Sequence, residues 1–213
     1  MTTILLVRHG ESTANRDGVF GGNSDVALTE TGLRQAGKVA AFLKETYKVD
    51  AVFSSRLSRA KKTAEVIAEK FALPVFVDDR LHEISGGIWD GMKFDEIEKN
   101  YPVEYEQWDN CMSDVRPPQG ETIRDVQKRA YAALCEIAKK NDGKTVAVVA
   151  HRVVIRTLQC TWEGIPPEEI NRCPWVSNCS VSELVFDGEK LIPVHVGQDS
   201  FMGKDAKKVT SKM

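Results

Sequence analysis

The sequence predicts an α/β protein in which helices cover both faces of a mostly parallel sheet. Short apolar runs alternate with segments of helical periodicity, and the most apolar run, Thr145 to Val149, is rich in β-branched residues like a central parallel strand. A chain of 213 residues, 42% hydrophobic and 28% charged, can form one three-layer α/β/α domain. We expect that domain to span residues 1–203 and a frayed polar tail to span 204–213.

Helix signals separate the predicted strands. Thr29 is the expected N-cap of a first helix, and a second helix carries one apolar face from Leu57 to Phe71. Thr122 and Asp125 resemble a capping box that opens a third helix, and a fourth follows His151. Strands are predicted at Ile4 to Val7, Ala51 to Phe53, Thr145 to Val149, Ser180 to Phe186 and Leu191 to Val196.

An insertion interrupts this pattern between residues 75 and 120. The segment contains short pieces rich in glycine, aromatic and acidic residues, so we expect a partly helical lid over a site. Its aromatic residues are more often a small core under such a lid than a substrate pocket. They are Trp89, Tyr101, Tyr105 and Trp108.

Composition excludes several function classes. With 29 basic and 31 acidic residues the net charge is -2, so no global field recruits nucleic acid or an anionic membrane. The five cysteines form no C-x-x-C pair, which argues against a disulfide framework or a zinc site. Residues 1–7 lack the features of a secretion signal, so we expect a cytoplasmic protein. The sequence leaves the oligomeric state open, a homodimer being the commonest assembly.

Three predicted strands end in residues that a strand does not need. Arg8-His9-Gly10-Glu11 follows the first strand, Ser54-Ser55-Arg56 the second, and Ala150-His151-Arg152 the central one. The carboxyl ends of strands form the ligand crevice of open α/β sheets. Arginine forks and helix N-termini both suit phosphate, so the expected ligand at this edge is a phosphate.

Two histidines among arginines should hold at least one neutral, nucleophilic imidazole. His9 opens the loop after the first strand and is the best placed nucleophile. The chain contains no phosphate-binding P-loop motif, no H-E-x-x-H metalloprotease motif and no G-x-S-x-G nucleophile elbow. Glu83, at the start of the insertion, is the candidate general acid, with Glu11 and Glu121 as alternatives.

These residues closely resemble the Arg-His-Gly signature of the histidine phosphatase superfamily, in its phosphoglycerate mutase-like branch. The resemblance spans Ile4 to about Val196. Besides residues 8–15, it includes Asp25 to Thr29, Gly32, Gln35-Ala36, Ser54 to Ala60, Leu81 to Gly91, Gly120 to Thr122 and Ala150-His151.

The resemblance implies a role for each matching residue. His9 would be the phosphorylated nucleophile, Arg8, Arg56 and His151 would hold the phosphoryl oxygens, and Asn15 would add an amide contact. Glu83 would protonate the leaving group and then assist the attacking water. No metal and no other cofactor is implied. Arg59, by contrast, is expected on a solvated helix face with Lys61 and Lys62.

The chain departs from the family pattern at two places. Arg152 stands where members usually have glycine after the second histidine, which puts a close backbone contact in doubt or supplies an extra cation for a doubly anionic substrate. Gly21, followed by Gly22, stands where many members carry glutamine. Gly21, Gly22 and Arg152 are therefore the candidate substrate-binding residues.

The predicted activity is metal-independent hydrolysis of a small phosphorylated metabolite through a phosphohistidine. The stretch Gly86 to Gly91 resembles the phosphatase branch more than the mutases, which are longer. Phosphoglycerate mutation and a non-catalytic phospho-ligand binder remain as alternatives. The identity of the phosphomonoester stays open.

Overall fold

The computed structural model describes residues 1–206, apart from the side chain at position 114. Six strands form one sheet in the order β3-β2-β4-β1-β5-β6. The pairs β1–β4, β2–β4 and β2–β3 are parallel, whereas β5 runs antiparallel to both β1 and β6. The strands are β1 Thr2–Arg8, β2 Ala51–Ser54, β3 Val75–Val77, β4 Thr145–Ala150, β5 Val181–Phe186 and β6 Leu191–Gln198.

The buried strands sort their side chains between two cores. In β1, Ile4 and Leu6 belong to one hydrophobic cluster, while Leu5 and Val7 belong to the other. Successive side chains of a strand point to opposite faces of the sheet. Because both faces are buried here, every residue in the middle of the strand has to be apolar. Helices must therefore cover both faces, and the predicted three-layer α/β/α architecture is confirmed.

The helices follow the predicted periodicity. Helices α2 (Glu30–Thr46) and α3 (Ser58–Phe71) cover one face, and α6 (Ile123–Lys140) and α7 (Arg152–Glu163) cover the other. The Thr29 side chain caps α2 by accepting from the Gly32 N–H. Thr122 and Asp125 form the predicted capping box of α6. A five-residue helix, α1 (Thr13–Asp17), was not predicted.

The insertion contains more regular structure than its sequence pattern indicates. Beyond β3 it forms short 3-10 turns, then α4 (Phe94–Asn100) and α5 (Pro102–Cys111). Fully buried Trp89 packs against Phe20, Tyr101 and Trp108 with ring centroids 5.8–6.2 Å apart. These aromatic rings extend the hydrophobic cluster that contains Ile4 and Leu6, so the insertion shares a core with one face of the sheet.

The start of the predicted tail is packed rather than frayed. Ser200–Asp205 forms a 3-10 helix, and Asp205 pairs with Lys38 of α2 at 2.7 Å. The Asp205 carbonyl also accepts a hydrogen bond from Gln35. Residues 207–213, the rest of that tail, lie outside the described residues. Within 1–206, the structure contains no helix with the length and apolarity that crossing a bilayer requires.

Candidate active site

A cavity of about 350 Å³ opens at the carboxyl edge of the sheet. We call it the reaction cavity. Its walls come from the loop after β1, the first turns of α3 and α7, and the insertion. They include Arg8, His9, Ser12, Asn15, Gly21, Gly22, Arg59, Glu83, Tyr105, Trp108, Arg152, Arg156 and Trp175.

His9 is held in one tautomer by the main chain. Its Nδ1 lies 2.7 Å from the Gly10 carbonyl oxygen, which can only accept a hydrogen bond. The proton is therefore on Nδ1, and Nε2 carries the lone pair of the neutral ring. Burial, with the nearby charges of Arg59 and Arg8, lowers the pKa of His9 well below its ordinary value. His9 is thus a neutral imidazole whose unprotonated nitrogen is available as a nucleophile.

His151 lies beside His9, at the N-cap of α7. The two ring centroids are 5.1 Å apart and the planes are tilted by 57°. His151 is fully buried, and neither ring nitrogen has a hydrogen-bond partner within residues 1–206. Burial lowers its pKa, and the charge of Arg59 contributes. A second neutral imidazole therefore stands next to the first.

The charges of two arginines, Arg59 and Arg8, act on His9. Arg8 is 3% exposed and donates from Nη1 to the Val176 carbonyl at 2.7 Å. Arg59 is 2% exposed and donates to the carbonyls of Ser24 and Gly22, both at 2.7 Å. Main-chain acceptors orient both guanidinium groups without neutralising them, so their charges are available to an anion.

The structure places two arginines differently from the sequence prediction. Arg56 does not line the reaction cavity; its side chain is 42% exposed, pairs with Asp79 at 2.7 Å and donates to Asn23. Arg59, expected in solvent, takes the buried position instead. Because Arg59 precedes buried Thr63 by four residues, it lies on the inward stripe of α3. That periodicity was the signal that could have identified Arg59 from the sequence.

Asn15 contributes an amide at the cavity wall. Its Oδ1 accepts from the Ser12 N–H at 3.2 Å and from Asn178 Nδ2 at 3.3 Å, which leaves its own Nδ2 as the group that can face a ligand. Asn178 also donates to the His9 carbonyl at 2.9 Å. Sequence reasoning missed Asn178, which precedes β5 in a loop with no distinguishing motif.

The sequence offered three candidates for the general acid, and of these Glu83 lines the reaction cavity. It is 7% exposed, with Oε1 accepting from the Ile84 N–H at 2.9 Å and Oε2 from the Val153 N–H at 3.3 Å. The two alternatives lie elsewhere: Glu11 accepts from Thr29 and Glu121 pairs with Arg129 at 2.8 Å. Two main-chain donors therefore orient the Glu83 carboxyl at the wall.

The predicted substrate-binding residues all line the cavity. Gly22 has a φ of +40°, and a Cβ there would fall 1.7 Å from an Asp90 carboxylate oxygen, so the turn requires glycine. Gly21 adjoins it. Arg152 is the first residue of α7, and its guanidinium lies over the Trp175 ring at 3.7 Å. The Arg152 guanidinium, which the sequence suggested as an extra cation, therefore faces the reaction cavity.

Comparison with known proteins agrees with this geometry. The sequence profile of the histidine phosphatase superfamily (branch 1) matches residues 4–199. Phosphoserine phosphatase 1 of Hydrogenobacter thermophilus is 36% identical over 165 residues, which cover 78% of each protein. Phosphoglycerate mutase-like protein 4 of Arabidopsis thaliana is 35% identical over 190 residues, covering 88% of this chain and 81% of the relative.

A solved structure extends the match to the whole fold. Bacillus stearothermophilus YhfR superimposes with a TM-score of 0.91 at 32% identity, covering 95% of this chain and 100% of that one. The chain therefore belongs to branch 1 of the histidine phosphatase superfamily and is a phosphomonoester hydrolase.

Proposed function

We propose that the chain hydrolyses small phosphomonoesters in two steps, with His9 as the phosphoryl carrier. The observation that carries this proposal is the fixed tautomer of His9, whose Nδ1 is committed to Gly10 while Nε2 remains unprotonated among two arginines. A neutral ring is required because an imidazolium has no lone pair to attack phosphorus.

In the first step, His9 Nε2 attacks phosphorus and the bond from phosphorus to the ester oxygen breaks. Glu83, in its protonated form, gives its proton to that leaving oxygen. In the second step, Glu83 as a carboxylate takes a proton from water, the water oxygen attacks phosphorus, and the bond to His9 breaks. The products are an alcohol and inorganic phosphate, and both residues return to their starting forms.

The phosphoryl oxygens are held by Arg8 and Arg59, with Asn15 and His151 as neutral donors. Fixed donors in a buried site stabilise developing charge without having to reorganise. Arg59 here takes the place that the sequence assigned to Arg56. Within residues 1–206, no group of three or more histidine, cysteine or acidic side chains lies in an arrangement that could hold a metal ion. We expect activity to persist in the presence of EDTA.

The substrate is a small phosphorylated metabolite, since a cavity of about 350 Å³ is at the small end of ligand pockets. The relative from Hydrogenobacter is named for phosphoserine, which makes a phosphorylated amino or hydroxy acid a reasonable first test. A cytoplasmic location and a homodimeric assembly stay predictions from the sequence.

The direct test replaces the nucleophile. His9→Ala should lower phosphate release from every member of a phosphomonoester panel by more than about 1000-fold, since covalent catalysis is lost. Labelled substrate quenched in alkali should leave phosphate on the wild-type protein and none on the variant. His195→Ala, which changes a histidine paired with Glu183 outside the cavity, is the matched control and should stay active.

The same assay separates the alternatives. A mutase would convert 3-phosphoglycerate to the 2-isomer with little release of phosphate, and a binder would retain the ligand without turnover. Equal phosphate release by wild type and His9→Ala would contradict the proposal.

A further inference from the structure

An ion pair outside the reaction cavity contacts the segment that carries Glu83. Arg129 of α6 pairs with Glu121, which precedes that helix, through two parallel hydrogen bonds: Nε donates to Oε1 at 2.8 Å and Nη2 to Oε2 at 2.9 Å. Both side chains are mostly buried, and neither lines the reaction cavity. A fork of this kind fixes the relative orientation of the two partners as well as joining their charges.

The other donors of Arg129 bind main-chain carbonyls at and just before Glu83. Nη1 donates to the carbonyls of Arg80 and His82, both at 2.7 Å, and Nη2 donates to the carbonyl of Glu83 at 3.1 Å. Residues 82–86 belong to no helix or strand, so their carbonyls need partners from elsewhere in the chain. Arg129 therefore uses all five of its N–H groups, two on the carboxylate and three on this segment.

Glu121 binds the same segment just after Glu83. Its Oε2 accepts from the Ser85 N–H at 2.9 Å, and its own N–H donates to the Ser85 carbonyl at 2.8 Å. Gly120 permits this approach, because a Cβ there would fall 2.5 Å from the Ser85 carbonyl oxygen. Burial alone would raise the pKa of Glu121, but the hydrogen bonds from Arg129 and Ser85 and the charge of Arg129 lower it below its ordinary value. Glu121 is therefore a carboxylate that accepts hydrogen bonds, and it is not the proton donor.

We propose that Arg129 and Glu121 are positioning residues, which hold the Glu83 carboxyl where it can protonate the leaving oxygen. The inference rests on the proposed function, in which Glu83 is the general acid. The carboxyl itself accepts from the Ile84 N–H, so its position depends on the backbone that the ion pair binds. A shift of about 1 Å in a reacting group can lower a rate on the order of 100-fold.

The test compares leaving groups that differ in their need for a proton. Glycerol 3-phosphate and 3-phosphoglycerate both release an alkoxide that has to be protonated, whereas p-nitrophenyl phosphate releases a stable anion that leaves without a proton. The ratio kcat/KM reports on the first half-reaction, in which the leaving group departs. Arg129→Gln should lower kcat/KM about 10- to 100-fold for the two alkyl esters and less than about 3-fold for p-nitrophenyl phosphate. A role in folding alone would lower kcat/KM equally for all three.

Three further variants complete the design. Arg129→Lys keeps the charge without the fork and should fall between wild type and Arg129→Gln, which also covers the case that the glutamine variant folds poorly. Glu121→Gln keeps an acceptor for the Ser85 N–H and should show the same dependence on the leaving group with a smaller loss. Arg124→Gln changes an exposed arginine of α6 that pairs with Glu168, and it should change kcat/KM by less than about 2-fold on every substrate.

A double-mutant cycle with Glu83→Gln separates positioning from a general loss of structure. Glu83→Gln alone should show the same dependence on the leaving group. Adding Arg129→Gln should then lower kcat/KM for the alkyl esters by less than about 3-fold further, because no acid is left to position. Equal losses on all substrates for both Arg129 variants, or full additivity with Glu83→Gln, would overturn the positioning role. Failure of the proposed function has a different signature: Glu83→Gln itself would then lose activity equally on all substrates, which would overturn the role of Glu83 as the acid and this inference with it.

Discussion

The two ends of the reaction cavity are built in different ways. At the end of the cavity where we propose that phosphate binds, Arg8 ends β1, His9 follows it and Arg59 lies in the first turn of α3; each side chain is fixed by main-chain carbonyls. At the other end, the guanidinium groups of Arg152 and Arg156 stack on the Trp175 ring, and Arg156 also donates to the Cys173 carbonyl and to the Asn171 side chain. Main-chain acceptors therefore orient the groups around His9, whereas contacts between side chains predominate around Trp175.

This difference has a kinetic consequence. A change at the phosphate end removes contacts to a group that every substrate shares, so all substrates should lose the same factor. A change at the Trp175 end removes contacts to the variable part, so its effect should depend on the substrate.

The largest effect expected in this comparison comes from Arg59. Arg59→Ala should lower kcat/KM roughly 100- to 1000-fold, about 2.7–4 kcal/mol, since a buried donor to the phosphoryl oxygens is lost. The factor should be the same for 3-phosphoglycerate and glycerol 3-phosphate. Steady-state kinetics on both substrates measure it.

Arg56→Ala is the matched control, because this arginine lies three residues earlier but points to solvent. It should change kcat/KM by less than about 2-fold, as surface ion pairs contribute little. A larger loss for Arg56→Ala than for Arg59→Ala would restore the sequence-based assignment and contradict the geometry.

Acid should destabilise the folded protein through the two buried histidines, His9 and His151. Burial lowers the pKa of His9 and His151 in the folded protein, so below the unfolded value of about 6.5 the unfolded chain binds more protons. Stability is thus intact above that pH and falls as pH drops below it, toward the folded pKa. Each histidine contributes up to about 1.4 kcal/mol per pH unit.

Urea unfolding between pH 7.5 and 5.5 measures this slope. His151→Gln should reduce the loss of stability over this whole pH range by about 1.4 kcal/mol relative to wild type, since one buried imidazole no longer titrates. An unchanged slope would mean that His151 is protonated in the folded protein. Arginines at the Trp175 end do not titrate in this range, so Arg152→Gly should keep the wild-type slope.

The sequence predicted five of the six strands, all but β3, because the signals of those strands are local. The β-branched run of β4 and the capping residues Thr29 and Thr122 act within a few residues of themselves, and the structure follows them. The motif after β1 placed His9, Asn15 and Arg8 at the cavity for the same reason.

The failures concern side-chain direction and long-range packing. Arg56 and Arg59 differ in sequence by three positions, and only the exact start of α3 at Ser58 decides which of them faces the sheet edge. Trp175 and Arg156 meet through a 3-10 segment, Pro167–Arg172, that has no periodic pattern. Contacts of this kind depend on how separate elements pack, which no local pattern specifies.

The smallest loss of activity is expected for Asn178, because this residue contacts the backbone of His9 and not its ring. Asn178→Ala leaves the buried His9 carbonyl without its side-chain donor, at a cost of about 1 kcal/mol in unfolding free energy. We expect kcat to fall about 3- to 10-fold on all substrates, because the loop that carries His9 is less firmly held. Urea unfolding measures the free energy of unfolding, and steady-state kinetics on 3-phosphoglycerate and glycerol 3-phosphate measure kcat. Asn100→Ala, at an exposed position, is the control. A loss confined to 3-phosphoglycerate would contradict this expectation, since a residue beside His9 would then be acting on substrate selectivity.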